Sequence, residues 1–170
     1  MFGDPILRQR AREVGEITDL HRKLIENMIE TMREAPGVGL AAPQVGVLER
    51  IFVYALDDTV GAIINPELMV RSKETETDIE GCLSLPGLQY PVERPVSVTI
   101  RGVDESGETV EIDADGLLAV VFQHELDHLD GVLFIDHLPE DMRKEALRAL
   151  RDQALGLTVP SPSHSPEERL

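Results

Sequence analysis

Cysteine occurs once in this chain, tryptophan not at all, and basic residues are outnumbered two to one by acidic ones. The single Cys82 has no partner for an internal disulfide, which excludes the disulfide-stapled domains and fits a reducing compartment. No apolar run approaches the roughly 20 residues of a helical membrane span, so no membrane partner is expected. The opening M-F-G-D-P-I-L-R has no signal-type apolar region, because Asp4 and Pro5 interrupt it; the expectation is a cytoplasmic protein. Sixteen Lys+Arg against 32 Asp+Glu leave a net charge of −16, which repels phosphates and argues against DNA as a partner. What remains is a globular composition, 42% hydrophobic and 28% charged over 170 residues. That length suits one domain able to bury roughly 70% of its unfolded surface.

Hydrophobic periodicity orders the elements. Residues 18–34 carry Leu20, Leu24, Met28 and Met32 every four residues, widened by Ile25 and Ile29, and so predict an amphipathic helix packed on the core. Thr18 or Asp19 can cap its start, and Pro36-Gly37 ends it. After G-V-G-L-A-A-P-Q-V-G come β-rich segments at 51–56, 62–65 and about 67–74. Val96, Val98 and Ile100 alternate with polar residues as in a half-buried strand, and D-E-S-G at 104–107 predicts a turn into T-V-E-I-D. Residues 116–129 are apolar on nearly every side, the mark of a buried helix. A last helix is expected over about 139–155, within a single domain of residues 1–156. The Pro- and Ser-rich stretch 157–170 is expected to be an unstructured tail.

The buried helix ends in Q-H-E-L-D-H. His124 and His128 stand four apart, so both imidazoles leave one helical face and can share a cation, while Glu125 fits the proton carrier of H-E-x-x-H chemistry. The competing reading is a pair of core histidines. Burying two imidazoles, Glu125 and Asp127 beside so apolar a run needs compensation, and a metal supplies it.

A third ligand must come from elsewhere. The metzincin extension H-E-x-x-H-x-x-G-x-x-H is followed as far as Gly131 and then broken by Phe134. His137 is better read as a surface or packing histidine, and Glu145 sits on a basic helix. Cys82, in the Gly- and Pro-constrained segment E-G-C-L-S-L-P-G, is the stronger candidate, since a thiolate with two imidazoles leaves a fourth metal position open. Read alone, a cysteine such as Cys82 is more commonly a small buried hydrophobe.

Three segments together, G-V-G-L-A-A-P-Q at 37–44, E-G-C-L-S at 80–84 and Q-H-E-L-D-H at 123–128, resemble the signature motifs of the peptide deformylases, in that family's order and approximate spacing. G-D-P-I-L-R, I-N-P-E-L and D-G-V-L-F-I-D extend the resemblance from residue 3 to about 140. It implies an α+β fold with antiparallel strands around the central H-E-x-x-H helix and a C-terminal helix. It implies removal of the formyl group from formyl-methionine of nascent polypeptides, releasing formate. By motif match, Cys82, His124 and His128 bind one divalent metal, Fe2+ physiologically, with Zn2+, Ni2+ or Co2+ able to replace it. Glu125 moves the proton, and the Gln44 amide and Leu83 N–H face the formyl oxygen.

Substrate residues are expected at Val38 and Gly39, where a peptide would add as a strand, and at Leu117, Val120 and Val121, which with Val38 are candidates for a methionine pocket. Two departures from the family pattern stand out. Only Met1 and Phe2 precede G-D-P, which leaves the N-terminal sheet edge open, and V-E-R at 92–94 replaces the usual V-P-R. Arg94 is therefore read either as a substrate contact or as an ordinary surface one. From Met142 to Leu155, Arg143, Lys144, Arg148 and Arg151 face only Glu145 and Asp152, a local excess that suggests either a solvated face or docking on the ribosome.

Overall fold

The periodic segments become three helices and seven strands among residues 1–157, which the computed structural model describes. In chain order these are α1 (Asp19–Glu34), β1 (Gly39–Ala41), β2 (Ile51–Leu56), β3 (Thr59–Arg71), β4 (Thr75–Cys82), β5 (Leu85–Pro95), β6 (Ser97–Val103), β7 (Thr109–Asp115), α2 (Gly116–Leu129) and α3 (Glu140–Ala154). Strands β1-β2-β3-β6-β7 form one antiparallel sheet in that order, and β4 and β5 form a separate hairpin. The α+β arrangement around α2 is the expected one. The tail expected from 157 onward lies, from residue 158, outside the described residues.

Strand alternation decides what each helix covers. Phe52 and Tyr54 of β2 point to α2 and pack on Phe122, with ring centroids 5.7 and 5.0 Å away. Ile51 and Val53 point to the other face and pack with Ile25, Met28 and Met32 of α1. β2, inside the sheet, is thus buried on both sides, and each large apolar side chain so removed from water contributes about 1.5–3 kcal/mol. A third cluster, of Leu85, Leu88 and Val92 with Leu133, Phe134 and Ile135, seals the hairpin to the segment after α2.

Three details depart from the periodicity reading. Leu20 is 82% exposed. At about 100° per residue it lies roughly 120° around α1 from the Ile25–Met28–Met32 face, so the every-fourth-residue count overstated the core. The segments at 62–65 and 67–74 are one strand, interrupted by register shifts around Asn65-Pro66 and Leu68 rather than by a loop. Asn65 has φ 52°, and its amide clasps the Val14 backbone through two 2.8 Å hydrogen bonds, tying the N-terminal segment to β3. Residues 75–95, unassigned by periodicity, form the β4–β5 hairpin.

Near the N-terminus, Phe2 packs into the hairpin cluster and its N–H donates to Ser84 O at 3.0 Å. The expected 104–107 turn is present, with the Asp104 carboxylate accepting from the Ser106 and Glu108 N–H groups.

Candidate metal centre

Helix α2 is flanked by apolar packing, and its last two turns carry the polar residues inward: His124, Glu125 and His128 are all buried. The end of β4 delivers Cys82 to the same place, and a turn after β1 delivers Gln44. His124 Nε2 and His128 Nε2 are 3.2 Å apart, and Cys82 Sγ lies 3.3 Å from His128 Nε2. Among the described residues this is the one group of three or more such side chains able to hold a metal, its ligand atoms lying within 4.8 Å of one another.

The donor set fits a divalent metal on more than proximity. His124 Nδ1 donates to Glu80 Oε2 at 3.1 Å, which fixes the tautomer and turns Nε2 toward Cys82 and His128. The Cys82 thiol is held well below its usual range. Burial opposes this, but His128 and His124 outweigh it, which favours the thiolate form that binds metals.

Glu125 is the unusual group. Both of its oxygens are buried and lack any hydrogen-bond partner among the described residues, and burial pushes its pKa up to about 7 against the pull of the two imidazoles. A fully buried carboxylate without a partner is costly and needs an occupant beside it. Gly39 makes room for it, since a Cβ there would lie 2.5 Å from Glu125 Oε1.

Gln44 is oriented from both ends. Its Oε1 accepts from the Ala41 N–H at 2.9 Å, which aims Nε2 at Ser84 Oγ (3.0 Å) and Cys82 Sγ (3.6 Å). Leu83 occupies the turn between β4 and β5, directly after the cysteine, with its side chain on the α1 cluster. Leu117 and Val120 line a cavity of about 80 Å³ with Glu76, Asp78, Val92 and Arg94. Val38 packs at the edge of the α2 core, whereas Val121 is wholly buried within it.

Arg94 is not a surface contact. Only 7% of its side chain is exposed; Nε and Nη2 donate to both Glu80 oxygens at 2.7 and 3.0 Å, and Nη1 donates to Asp127 Oδ2 at 2.7 Å. A bidentate partner and a second carboxylate consume the guanidinium fork, which explains why so long a polar side chain is buried here. Burial alone would raise the Glu80 carboxyl, but Arg94 and His124 hold it at about 2.

Sequence reasoning misses Glu80, Asp127 and His137 as site residues, although the first two stand inside the motifs. An acid two residues before a metal-binding cysteine is the available signal for Glu80. His137 Nε2 reaches Asp127 Oδ2 at 2.8 Å. Glu145 accepts from the Tyr90 hydroxyl at 3.2 Å and is absent from the ligand cluster, and His21 bonds Thr18 and pairs with Glu49 on the far side of the sheet.

A thiolate and two imidazoles converging beside an unpaired acid, on a helix wrapped by antiparallel strands, define a metal-dependent hydrolase. Residues 1–144 match the sequence profile of the polypeptide deformylase family. The chain is 51% identical over 152 residues to the peptide deformylase of Acidothermus cellulolyticus, covering 89% of this chain and 84% of that one. It is 53% identical over 136 residues to peptide deformylase 1 of Clostridium perfringens, covering 79% and 92%. Among solved structures, the peptide deformylase of Thermus thermophilus superposes with a TM-score of 0.86 at 42% identity, covering 92% of this chain and 93% of that one. That of Ehrlichia chaffeensis gives 0.87 at 33%, covering 91% and 94%. The chain belongs to the polypeptide deformylase family. Its activity is the metal-dependent hydrolysis that removes the N-terminal formyl group from nascent polypeptides.

Proposed function

We propose that Cys82, His124 and His128 hold the catalytic divalent metal, that Glu125 carries the proton, and that the Gln44 amide and Leu83 N–H receive the negative charge developing on the formyl oxygen. The observation carrying this reading is the fully buried Glu125 carboxylate, unpaired beside the converging ligand atoms. A divalent metal held there supplies Lewis acidity and brings the pKa of a water close to neutrality. Glu125, with two free oxygens, accepts a proton and returns it to the leaving amine, which must depart neutral. Gln44 Nε2 is already aimed by the Ala41 N–H, so it meets the oxyanion without reorganising.

The peptide lies along β1, which among the described residues is an edge strand paired only with β2, at Val38 and Gly39. Leu117, Val120 and Val38, backed by the buried Val121, receive the methionine side chain. Arg94 supports the metal site from behind rather than holding substrate. The physiological metal is Fe2+, with Zn2+, Ni2+ and Co2+ accepted by the same thiolate and imidazoles. The catalytic domain spans residues 1–156, and the protein works in the cytoplasm.

The test is anaerobic turnover of a formyl-methionyl tripeptide with metal content measured on the same sample. Formate release that is lost in Glu125→Ala while metal is retained establishes the assignment. A fully metallated, folded protein that releases none refutes it.

The second element of the proposal is ribosome docking through α3. Arg143, Lys144, Arg148 and Arg151 are all exposed, and Arg143 and Arg148 form no ion pair among the described residues. Binding should fall steeply with salt and be lost on charge reversal at Arg148 and Arg151; binding indifferent to both refutes it.

A further inference from the structure

The H-E-x-x-H reading of α2 leaves Asp127 without a task, and His137 lies outside every motif. The structure joins them to the metal site. Asp127 Oδ2 accepts from Arg94 Nη1 at 2.7 Å and from His137 Nε2 at 2.8 Å, while the other arm of Arg94 holds Glu80, and Glu80 holds His124. Side-chain exposure rises along this line from 1% at Glu80 through 7% at Arg94 and 21% at Asp127 to 39% at His137.

The path is a closed loop. It leaves α2 at His124, crosses to β4 at Glu80 and to β5 at Arg94, and returns to α2 at Asp127, one helical turn from where it began. Cys82 is two residues beyond Glu80 on β4. The loop therefore clamps the hairpin bearing the thiolate against the helix bearing both imidazoles.

The guanidinium is planar, and a bidentate grip on Glu80 alone leaves it free to tilt about that carboxylate. A second carboxylate on its far side removes that freedom. A cleft of about 490 Å³ is lined by Arg94, Asp127 and His137, so the outer end of this line faces open space rather than core.

We propose that Asp127 and His137 are positioning residues for the metal: acting through Arg94 and Glu80, they fix the His124 ring and hold Cys82 in register with α2. This rests on the assignment of Cys82, His124 and His128 as ligands.

The experiment loads the full chain with Co2+ and follows its release to a competing chelator, at a temperature well below every unfolding midpoint. Wild type is compared with Asp127→Asn, His137→Phe and His137→Gln, with midpoints of the metal-free proteins measured alongside. Asp127→Asn should release cobalt about 10- to 100-fold faster, the range for groups that support metal ligands. His137→Phe should release it about fivefold faster, the net worth of one hydrogen bond, and His137→Gln, which keeps an N–H donor, should return to within about twofold of wild type. Under saturating metal, Asp127→Asn should lower kcat with KM unchanged.

A merely structural pairing predicts lower midpoints with release rates within about twofold of wild type, and that result overturns the proposal. So does a His137→Gln protein as leaky as His137→Phe. A wild-type protein that holds no cobalt removes the ligand assignment itself, and this inference with it.

Discussion

Replacing Gly39 by alanine is the most direct probe of why that position lacks a side chain. A Cβ there would stand 2.5 Å from Glu125 Oε1, 3.0 Å from Cδ and 3.1 Å from Cγ. The first of these is roughly 1 Å short of an ordinary non-bonded contact. Gly39 has a non-positive φ and pairs with Tyr54 in the β1–β2 ladder, so the penalty is steric, and the backbone is held against retreat. Glu125 sits on a helix buried on all sides and must yield instead. Displacing a catalytic group by about 1 Å costs on the order of 100-fold in rate, and the overpacking costs about 1–3 kcal/mol of stability. The assay is steady-state formate release from a formyl-methionyl peptide at saturating metal, with metal content verified. The expected result is a kcat lowered about 100-fold in a metallated protein. If Gly39 serves only the approach of the peptide main chain, KM rises while kcat stays within about threefold of wild type; that outcome would refute the steric account.

Three further substitutions have defined outcomes. Cys82→Ala should abolish metal retention on dialysis while the metal-free fold persists, whereas a hydrolase relying on the H-E-x-x-H pair and another ligand would keep its metal. Asn65→Ala removes two hydrogen bonds to Val14 and places alanine at φ 52°, so chemical denaturation should show a loss of about 2–4 kcal/mol with metal affinity intact. Gly102→Ala brings a Cβ within 2.4 Å of Ile63 Cγ2 and 2.9 Å of Ile64 O, and its thermal midpoint should fall by about 2–4 °C for each of the roughly 1–3 kcal/mol expected from overpacking.

Whether an element could be read from the sequence depended on whether one face of it is dry. β2 and α2 are buried on both faces and read as apolar runs; α1 reads as a stripe, misjudged only at Leu20, where the helix begins away from the core. The β4–β5 hairpin escaped because β4 is acidic and exposed over Thr75–Ile79, and β5 contains Pro86, Pro91 and Pro95. A two-stranded hairpin leaves each strand a free edge, so the prolines that would break an inner strand are tolerated there. The ligands and Glu125 were legible because they share motifs. Their support was not: Glu80 meets His124 across 44 residues, and Arg94 meets Asp127 across 33. Nothing local in V-E-R tells a buried guanidinium from a surface one until the hairpin folds onto α2.

The polar load of α2 is divided in a way that suits its chemistry. Gln123 Nε2 is satisfied by the Pro95 and Ala119 carbonyls, and His124 Nδ1 by Glu80. Both Glu125 oxygens, and His128 Nδ1, are left without a partner among the described residues. Hydrogen bonds from fixed donors would stabilise the charged form of Glu125 and depress its pKa, leaving it a weak base. Burial, outweighing the pull of His124 and His128, brings it to about 7, near the value at which one group can both take and return a proton in neutral solution, and the charge of a bound metal would act to lower it from there. The same fold that supplies Glu80 with two partners therefore withholds any from the Glu125 carboxylate, whose unmet hydrogen-bonding capacity is available to water and to the leaving amine.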